Sequence, residues 1–377
     1  MKISVDKNLA YSDQPTPMTF QEVQKRLKPR NAQKRERTLP AELRFLLPTS
    51  GAPKFEPSIE RVGRAHELAF QIENWQPGQH VFPPPIETKQ LRMLGKKSKA
   101  KLSKPLETES FIPDYLPLRP IPRALPTNLR RPSFTQVDLV TPPDKSGNRA
   151  TTIFSPDDRF VFNDTSYPWS TCGRVDIPGG LASGVMVGPR HMLTVSHAIQ
   201  WNSDGTAGWV RFRPSFFDGS APFGEAWGTR VYFKYKVTGP TIDWIEGMYD
   251  YVVVVLNWRI GNLTGWMGSR GYTDSWDGGL YWSHIGYPVD LTAGNRPIFQ
   301  SSISLDGAWW QFDSHESMSH HGDVWPGQSG GPFFGWWTGE VGPRVVAAQS
   351  SQSSGDNYSS GGQDMVDLII RAQNENP

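Results

Sequence analysis

The residues best suited to chemistry lie in a glycine-rich run near the C-terminus, Gly327-Gln328-Ser329-Gly330-Gly331-Pro332. A serine between glycines suits a tight turn in which backbone N–H groups converge on one point while the hydroxyl stays exposed. That is the geometry of a nucleophile beside an oxyanion hole, and it makes Ser329 the candidate nucleophile. A nucleophilic serine needs a general base, so the rest of the chain must supply one.

The order of residues along the chain limits the choice of fold. The spacing around Ser329 also satisfies the Gly-x-Ser-x-Gly elbow of α/β-hydrolases, which place their catalytic histidine after the serine. No histidine follows Ser329 in this sequence, so that fold is excluded.

The candidate general base lies in the run from Gly188 to Ala198. A Gly-Pro turn is followed by an apolar strand that ends close to His197, and a base held at a strand end is rigid yet able to face a cleft. We therefore predict that His197 is the base. His191, in the same run, is interpreted as a structural histidine.

A catalytic imidazole also needs a buried carboxylate that fixes its tautomer and orientation. Asp250 directly precedes the apolar run from Tyr251 to Leu256, a strand that would draw the carboxylate into a dry barrel wall. A buried carboxylate needs a donor, and an imidazole N–H supplies one. Asp250 is the first candidate and Asp243 the second.

The order His197, Asp250, Ser329 resembles that of the trypsin-like serine proteases, and within them the glutamyl-endopeptidase-like branch. The resemblance covers about residues 152 to 370. The motifs that carry it are, in chain order, Asp157-Asp158-Arg159, Asn163-Asp164-Thr165, Tyr167-Pro168-Trp169, Val187-Gly188-Pro189-Arg190, Thr194 with His197, Asp250, Gly286-Tyr287-Pro288, and Asp323-Val324-Trp325-Pro326 followed by the glycine-rich run.

The resemblance implies a serine endopeptidase that acts on proteins or peptides through an acyl-enzyme, without a cofactor. It implies that Ser329 is the nucleophile, His197 the general base and acid, and Asp250 the orienting carboxylate. The N–H groups of Gly327 and Ser329 would form the oxyanion hole. It also implies an extracellular zymogen, and we expect a monomer.

Two departures from the trypsin pattern concern how the site is braced. Ala198 stands where many members have a half-cystine, and Cys172 is the only cysteine, so the chain has no intramolecular disulfide and no cysteine-rich metal site. Gln328 stands where trypsin has an aspartate that pairs with the newly cut N-terminus. Activation by that ion pair is therefore not available.

The sequence does not decide which substrate residues the specificity pocket prefers. Asp323 lies six residues before Ser329, where trypsin has the acidic floor of its pocket, and would favour Lys or Arg in the substrate. Glutamyl-specific members use a histidine on the strand after the serine, and here Gln349, followed by Ser350, occupies that place. His320 or His321 is an alternative residue for binding a substrate carboxylate.

Two other sets of residues have structural interpretations. His315, Glu316, His320, His321 and Asp323 look like a ligand cluster, but the outer histidines are five residues apart, not the four of a His-Glu-x-x-His site, and we predict no metal site. The tryptophans, fourteen of the fifteen after residue 150, include Trp309-Trp310 and Trp336-Trp337. They are interpreted mainly as core residues rather than as a binding groove.

Composition divides the chain near residue 150. Residues 1–150 hold 26 of the 39 Lys+Arg and 15 of the 37 Asp+Glu, which is +11, whereas residues 151–377 carry 13 and 22, which is −9. The first part also has 20 of the 33 prolines. The family resemblance implies that the mature chain begins just before a segment like the one from Thr152 to Arg159. Residues 1–150 are therefore expected to be a propeptide that docks on its own enzyme by charge and is cleaved near Arg149 or Ala150.

Two other roles for this basic region remain open. It would direct the protease to a partner if it stayed attached, whereas nucleic-acid binding is disfavoured because no aromatic interleaving accompanies the charge. The charged first eight residues predict no signal peptide. The longest aliphatic run, Val252 to Leu256, is far shorter than the roughly 18 apolar residues of a membrane-spanning helix. We therefore expect no membrane partner.

The elements that position these residues are predicted to be β-strands. After about residue 151, short apolar runs alternate with turn residues, which is typical of all-β barrels. We predict two antiparallel six-stranded barrels, about 151–255 and 256–363, a closing helix at about 364–374, and a largely irregular proline-rich region before them. Helix is predicted at Thr19 to Leu27 and at Ile59 to Ile72. The competing hypothesis is an inactive, protease-like binding module.

Overall fold

A computed structural model describes most of the chain. It covers residues 14–32, 55–62, 65–72, 85–93, 106–125, 153–307, 315–353 and 355–377, with only the backbone given for 55–62 and 65–72. The predicted cleavage point near Arg149 and the Trp309-Trp310 pair lie outside these ranges.

The first sheet is a closed antiparallel barrel of six strands. They are β6 (Cys172–Ile177), β7 (Gly180–Gly188), β8 (His191–Thr194), β9 (Arg211–Pro214), β10 (Ala226–Phe233) and β11 (Val252–Leu256). The order is β11-β8-β7-β6-β9-β10, and a ladder from β10 to β11 closes the ring. All five residues of β11 are apolar and buried, as a strand in a barrel wall requires.

The second sheet also has six main strands. They are β13 (Trp282–Gly286), β14 (Ile298–Ile303), β15 (Glu316–His320), β16 (Pro332–Gly335), β17 (Arg344–Gln352) and β18 (Asn357–Gly361), in the order β15-β18-β17-β16-β13-β14. Where the chain is described, no ladder joins β14 to β15, and only an isolated bridge from Asp306 to Ser319 connects that edge. The predicted all-β fold and its first six-stranded barrel are confirmed. The second predicted barrel is a six-stranded sheet whose closure is not complete among the described residues.

Three short strands extend this second sheet or precede it. β4 (Glu107–Thr108) pairs with β12 (Gly268–Arg270), which pairs with β17. β5 (Phe160–Val161) pairs with β14, although the predicted first barrel begins at residue 151. The reason is packing, because the Phe160 ring lies edge-on against Phe299 of β14, with centroids 5.3 Å apart.

The predicted closing helix is present. The helices are α1 (Phe20–Arg26), α2 (Trp244–Met248), α3 (Gly261–Thr264), α4 (Val289–Thr292) and α5 (Gln363–Glu375). On α5, Met365, Leu368, Ile369 and Ala372 are buried at helical spacing. Lys234 of β10, itself buried, holds this helix through Asp364 at 2.6 Å and Asp367 at 2.7 Å. α5 therefore closes the first barrel.

The described part of the N-terminal region is extended, apart from α1 and one hairpin. The prediction of helix at Ile59 to Ile72 is wrong, since β1 (Phe55–Val62) and β2 (Ala65–Ile72) form an antiparallel pair. Gly63 interrupts the helical pattern there, and glycine inside a helix costs about 1 kcal/mol relative to alanine. The helix predicted between Thr19 and Leu27 is α1, with a Thr19–Glu22 capping box.

Parts of this region are integrated into the two sheets. β3 (Glu87–Gln90) adds to β10 in parallel, and the residues on either side of it, Ile86 and Leu91, are buried in the barrel cores. Met18 exchanges a backbone hydrogen bond with Trp336. The N-terminal region therefore supplies edge strands and apolar side chains to the folded unit.

The ion pairs at this boundary partly reverse the predicted charge pattern. Acidic Glu107 and Glu109, from the basic region, pair with Arg270 and Arg344 of the acidic region at 2.6 and 2.9 Å. A pair of the expected polarity joins Lys89 to Glu375. Among the described residues, pairs of both polarities therefore join the two parts.

Buried aromatic residues and the one cysteine have structural roles. Trp276, Trp282 and Trp337 pack on one another with ring centroids 5.6 to 6.1 Å apart, as predicted for core tryptophans. Cys172 is buried and free, and burial raises the pKa of its thiol to about 12. None of the helices in the described ranges is long and apolar enough to cross a membrane.

Candidate active site

The register of two strands brings His197 and Asp250 together. Thr194, at the end of β8, lies opposite Val252, near the start of β11, in an antiparallel pair. The chain after β8 and the chain before β11 therefore meet at one end of the first barrel. His197 lies three residues beyond Thr194, in a 3-10 turn, and Asp250 two residues before Val252.

Asp250 is fully buried and accepts three hydrogen bonds. Its Oδ2 accepts from Nδ1 of His197 at 2.6 Å and from the Ser350 hydroxyl at 2.7 Å, and its Oδ1 accepts from the His197 backbone N–H at 2.9 Å. A buried carboxylate with this set of donors remains satisfied as an anion. It orients the imidazole through both its ring and its backbone.

The hydrogen bond to Asp250 fixes the state of the His197 ring. Because Nδ1 donates to the carboxylate, Nε2 carries the lone pair when the ring is neutral, as a general base requires. Burial opposes protonation, but the charge of Asp250 and the hydrogen bond to it outweigh burial and raise the pKa of His197. The His197 side chain is 19% exposed, so this edge of the ring is accessible.

Hydrogen bonds and apolar packing hold the turn that carries His197. The Ser196 hydroxyl accepts from the Val237 backbone N–H at 2.9 Å and donates to the Tyr235 carbonyl at 3.2 Å. The Trp201 indole N–H donates to the Ser196 carbonyl, also at 3.2 Å. Ala198 is buried in the apolar core beside them. The turn is thus held by the hydrogen bonds of Ser196 and by the packing of Ala198 in the apolar core.

The candidate nucleophile lies on a turn that only glycine fits at two positions. Gly327 has φ of +100° and Gly330 has φ of +81°, in the region that L side chains rarely adopt. A Cβ on Gly327 would collide with the Tyr287 carbonyl, and one on Gly330 would collide with Thr194 and Ser183. The nucleophile turn therefore lies directly against the end of β8, the strand that leads to His197.

Two backbone N–H groups of this turn are left free. The N–H groups of Gln328, Gly330 and Gly331 each donate to a carbonyl, at 2.8 to 3.1 Å. Among the residues described, no protein acceptor is paired with the N–H of Gly327 or of Ser329. Two such donors on one turn, beside a serine hydroxyl, are the arrangement that an oxyanion hole requires.

Ser183, a residue that sequence reasoning missed, joins this turn to the first barrel. Its N–H donates to the Ser329 carbonyl at 2.7 Å, and its hydroxyl donates to the Gly327 carbonyl at 2.8 Å. The same hydroxyl accepts from the Tyr287 N–H at 2.9 Å. Ser183 lies on β7, so the first barrel binds the carbonyls of the turn directly.

β17 links the nucleophile turn to the carboxylate. Gln349 exchanges backbone hydrogen bonds with Gly330 and Gly331, at 2.8 and 2.9 Å, and the next residue, Ser350, reaches Asp250. The structure thus joins His197 to Asp250 and holds Ser329 on the facing turn. In the described part of the chain, no hydrogen bond joins the Ser329 hydroxyl to His197. Such bonds are often long before substrate binds.

The carboxylate of Asp323 is hydrogen-bonded to other groups of the protein. Its carboxylate is almost fully buried and accepts from the Phe154 N–H at 2.7 Å, the Asp158 N–H at 3.3 Å and the Gln300 amide at 3.0 Å. Burial raises its pKa to about 6, although these backbone donors oppose the shift. The carboxylate faces residues 153–158, which lie before the first barrel in the sequence.

Gln349 and His320 are also bonded to each other. His320 accepts the Gly322 N–H on Nδ1, so its Nε2–H donates to the Gln349 side-chain oxygen, at 3.0 Å. The Gln349 amide nitrogen donates to the Ser351 and Tyr358 carbonyls. Burial lowers the pKa of His320 to about 3, so the ring is neutral.

His321, the other alternative reader of a substrate carboxylate, is a surface residue. It is 69% exposed at its side chain and lies 3.2 Å from Asp356. With the described residues considered, no three His, Cys, Asp or Glu side chains converge as a metal site would require.

The second candidates have structural positions. Asp243 caps α2, accepting from the N–H groups of Ile245 and Glu246 at 2.8 Å, and it is exposed. His191 is buried, and its Nε2 lies 3.2 Å from the Ala372 carbonyl of α5. Burial lowers the pKa of His191 to about 4, which agrees with its interpretation as a core histidine.

Known proteins similar in sequence are bacterial proteases. The chain is 30% identical over 196 residues to a glutamyl endopeptidase of Bacillus licheniformis, which covers 51% of this chain and 57% of the relative. It is 26% identical over 215 residues to an extracellular metalloprotease of Bacillus subtilis, covering 54% and 64%. The chain therefore matches about three fifths of the length of these relatives. No family model matches it.

Three solved protease structures align with parts of the chain. A Glu endopeptidase in complex with MPD aligns with a TM-score of 0.48 and 20% identity over 59% of this chain and 99% of its own. Protease Anisep from Arthrobacter nicotinovorans gives 0.39 and 19%, over 53% and 92%. The thermostable serine protease AL20 from an extremophilic microorganism gives 0.44 and 17%, over 55% and 99%.

The sequence relatives bear on the family resemblance. The match to a glutamyl endopeptidase confirms the predicted resemblance to the glutamyl-endopeptidase-like branch of the trypsin-like serine proteases. Within the segment that carries the resemblance, His197 and Asp250 are hydrogen-bonded at 2.6 Å. Ser329 lies three residues before the first residue of β16, Pro332.

Proposed function

We propose that this chain is a serine endopeptidase that hydrolyses peptide bonds through Ser329, His197 and Asp250. The observation that carries the proposal is the pair of free backbone N–H groups, on Gly327 and Ser329, beside the candidate nucleophile. A structural glycine turn has no need of two unpaired donors, whereas an oxyanion hole requires them.

The reaction follows from the roles of these groups. Ser329 Oγ attacks the substrate carbonyl carbon while its proton passes to Nε2 of His197, and the oxyanion accepts from the two free N–H groups. His197 then gives the proton to the leaving amine, which leaves an acyl-enzyme on Ser329. Water, deprotonated by His197, hydrolyses that ester. Asp250 stabilises the imidazolium and stays ionised throughout.

This scheme draws all its groups from the chain. It uses a hydroxyl, an imidazole, a carboxylate and two backbone donors, and it needs no cofactor. The substrate class is proteins or peptides. We propose an extracellular location, supported by a relative named as an extracellular protease, and a monomeric state.

Hydrolysis of dye-labelled casein by the full chain, assayed after its N-terminal processing, tests the activity. The expected result is release of peptides by the processed wild type and by a Ser351→Ala control, and loss of release in Ser329→Ala. A folded and processed wild type that releases nothing would contradict the proposal and favour the protease-like binding module.

We further propose that residues 1–150 act as an inhibitory prosegment that also assists folding. The support is that β3 adds to β10 of the first barrel and that Ile86 and Leu91 are buried in the apolar cores, while β4 joins the second sheet. A segment so integrated stabilises the fold before cleavage. N-terminal sequencing of the chain as its activity develops tests this. We expect activity to rise as a new terminus appears near Ala150, and full activity in a chain still beginning at residue 1 would contradict it.

A further inference from the structure

We infer that Arg159 is a positioning residue that holds the nucleophile turn through the side chain of Gln328. The inference rests on the proposed function, because it concerns the alignment of the oxyanion donors. It starts from the position just before the nucleophile, where trypsin has an ion-paired aspartate and this chain has a neutral amide.

Gln328 is fully buried, and its side-chain amide binds the turn from inside. Its oxygen accepts from the Trp325 N–H at 3.1 Å, and its nitrogen donates to the Asp323 carbonyl at 3.2 Å. One side chain therefore ties together both ends of the segment that leads to Gly327. The same oxygen accepts a second hydrogen bond, from Nη1 of Arg159, at 2.8 Å.

Arg159 is anchored on a second side, by two carboxylates. Its Nη2 lies 2.8 Å from Asp157 Oδ2 and 2.6 Å from Asp290 Oδ2, and its Nε donates to the other Asp157 oxygen at 3.0 Å. The guanidinium side chain is 1% exposed. Such a buried cation stays charged only because its partners compensate for the lost water.

Asp290 connects this pair to a second contact of the same turn. It lies on α4, whose first residue, Val289, donates its N–H to the Pro326 carbonyl at 2.9 Å. Pro326 directly precedes the oxyanion glycine. Arg159 thus reaches the turn twice, through Gln328 and through Asp290 on α4.

Arginine suits this position for a geometric reason. Its five donors form a rigid fork that can bind two carboxylates and an amide oxygen at once. A lysine keeps the charge and three donors, but these radiate from one nitrogen and do not reproduce the planar fork that spans both carboxylates and the amide oxygen. Arg159→Lys therefore separates the positioning contact to Gln328 from the charge that Asp157 and Asp290 require.

The misalignment expected from this loss is small in distance but large in rate. A shift of about 1 Å in a catalytic group can cost about 100-fold. We expect Arg159→Lys to lower the rate of labelling of Ser329 by a fluorophosphonate by about 10 to 100-fold. For hydrolysis of a peptide substrate, we expect kcat to be reduced and KM to be little changed. Arg270→Lys is the matched control, since Arg270 is also buried and paired with two carboxylates, Glu107 and Glu340.

Epistasis tests whether Arg159 acts through Gln328. Gln328→Met removes the amide at similar volume, so adding Arg159→Lys to it should slow labelling no further. All variants are compared in the full chain, on species with the same N-terminus. Amide hydrogen exchange over residues 323–331 is measured in parallel, and we expect faster exchange in Arg159→Lys than in Arg270→Lys.

The outcomes separate the inference from the proposed function. Slower labelling and faster local exchange in Arg159→Lys, with no additional loss in the double variant, support the inference. Wild-type labelling rates in Arg159→Lys, or additive losses in the double variant, overturn it and leave the protease function intact. A wild type and an Arg270→Lys control that both fail to label would overturn the function, and with it the positioning role.

Discussion

The Ser350 hydroxyl donates to the same Asp250 oxygen that binds the His197 ring, at 2.7 Å against 2.6 Å. Ser350 lies on β17 of the second sheet, and Asp250 precedes β11 of the first. The carboxylate that orients the histidine is therefore shared between the two halves of the molecule, so the relative packing of the sheets controls the geometry of the base.

Removal of this hydroxyl should alter the pH profile. In Ser350→Ala, Asp250 loses one of its three donors, so more of its negative charge acts on the imidazole. We expect the pKa of His197 to rise further, shifting the acid limb of kcat/KM to higher pH by less than about one unit, and kcat to fall by about 10-fold. Ser351→Ala is the control. A limb that stays in place in Ser350→Ala would contradict this account of the shared carboxylate.

In the proposed mechanism, the acid limb of the wild-type pH profile reports the titration of His197. Only the neutral ring accepts the serine proton, and Asp250 raises its pKa, so kcat/KM should fall as pH drops through a value above the ordinary 6.5. Asp250→Asn should move this limb lower and reduce kcat by about 10⁴-fold, because the tautomer is lost. Asp243→Asn keeps the cap on α2 and should leave both unchanged. Equal effects of the two substitutions would refute the assignment.

The same shift affects stability with a definite sign. Because the folded pKa of His197 is above its unfolded value, its contribution is present in full below pH 6.5 and is lost as pH rises through the folded pKa.

Asp323 should make stability fall as the medium becomes less acidic. Its folded pKa is about 6 against 3.8 when exposed, so the folded state keeps this proton longer and loses stability as pH rises from about 4 to 6. The slope from one such group is at most about 1.4 kcal/mol per pH unit. In Asp323→Asn this contribution is removed, so the free energy of unfolding measured in urea should fall less, or rise more, with pH across this range than in the wild type. Identical slopes would show that the carboxyl ionises normally.

Substrate preference offers a second test of Asp323. Since its carboxylate is bonded to Phe154, Asp158 and Gln300, it is not free to bind a substrate cation. In a peptide library, Asp323→Asn should leave the relative rates after Lys and Arg within about 2-fold of the wild type. A selective loss of cleavage after basic residues in this variant would place Asp323 in the pocket.

The N-terminal region should contribute to stability through Ile86. This side chain is 1% exposed in the core of the first barrel, so Ile86→Ala in the full chain should cost about 2 to 5 kcal/mol of unfolding free energy. Ile121, in the same region, is 37% exposed, and Ile121→Ala should cost less than about 1 kcal/mol. Equal, small losses in thermal or urea unfolding would mean that β3 does not support the barrel.

Local pattern was enough to predict part of the site. An apolar run after Asp250 and another before His197 predict two strands, and pairing of such strands places both residues at one barrel end. The glycines around Ser329 likewise follow from the turn that they must form, with φ of +100° at Gly327. These features depend on short segments whose physical requirements are visible in the residue types.

The long-range contacts were not predictable in this way. Ser183 reaches the turn across 144 residues, and Arg159 reaches Gln328 across 169. A serine in a strand and an arginine in a loop have many equivalent roles, and nothing in their neighbours selects one. The orientation of the Asp323 carboxylate could not be predicted either. The position of Asp323 six residues before Ser329 does not determine whether its carboxylate faces a pocket or the backbone of residues 153–158.

Labelling with a fluorophosphonate, followed by mass spectrometry of the modified peptide, tests the central claim most directly. The full chain and its processed form would be treated in parallel with the Ser329→Ala variant. The proposed mechanism predicts a single adduct on Ser329 that is absent from the variant and weaker in the unprocessed chain. A folded wild-type chain without an adduct, or with equal labelling in Ser329→Ala, would contradict it.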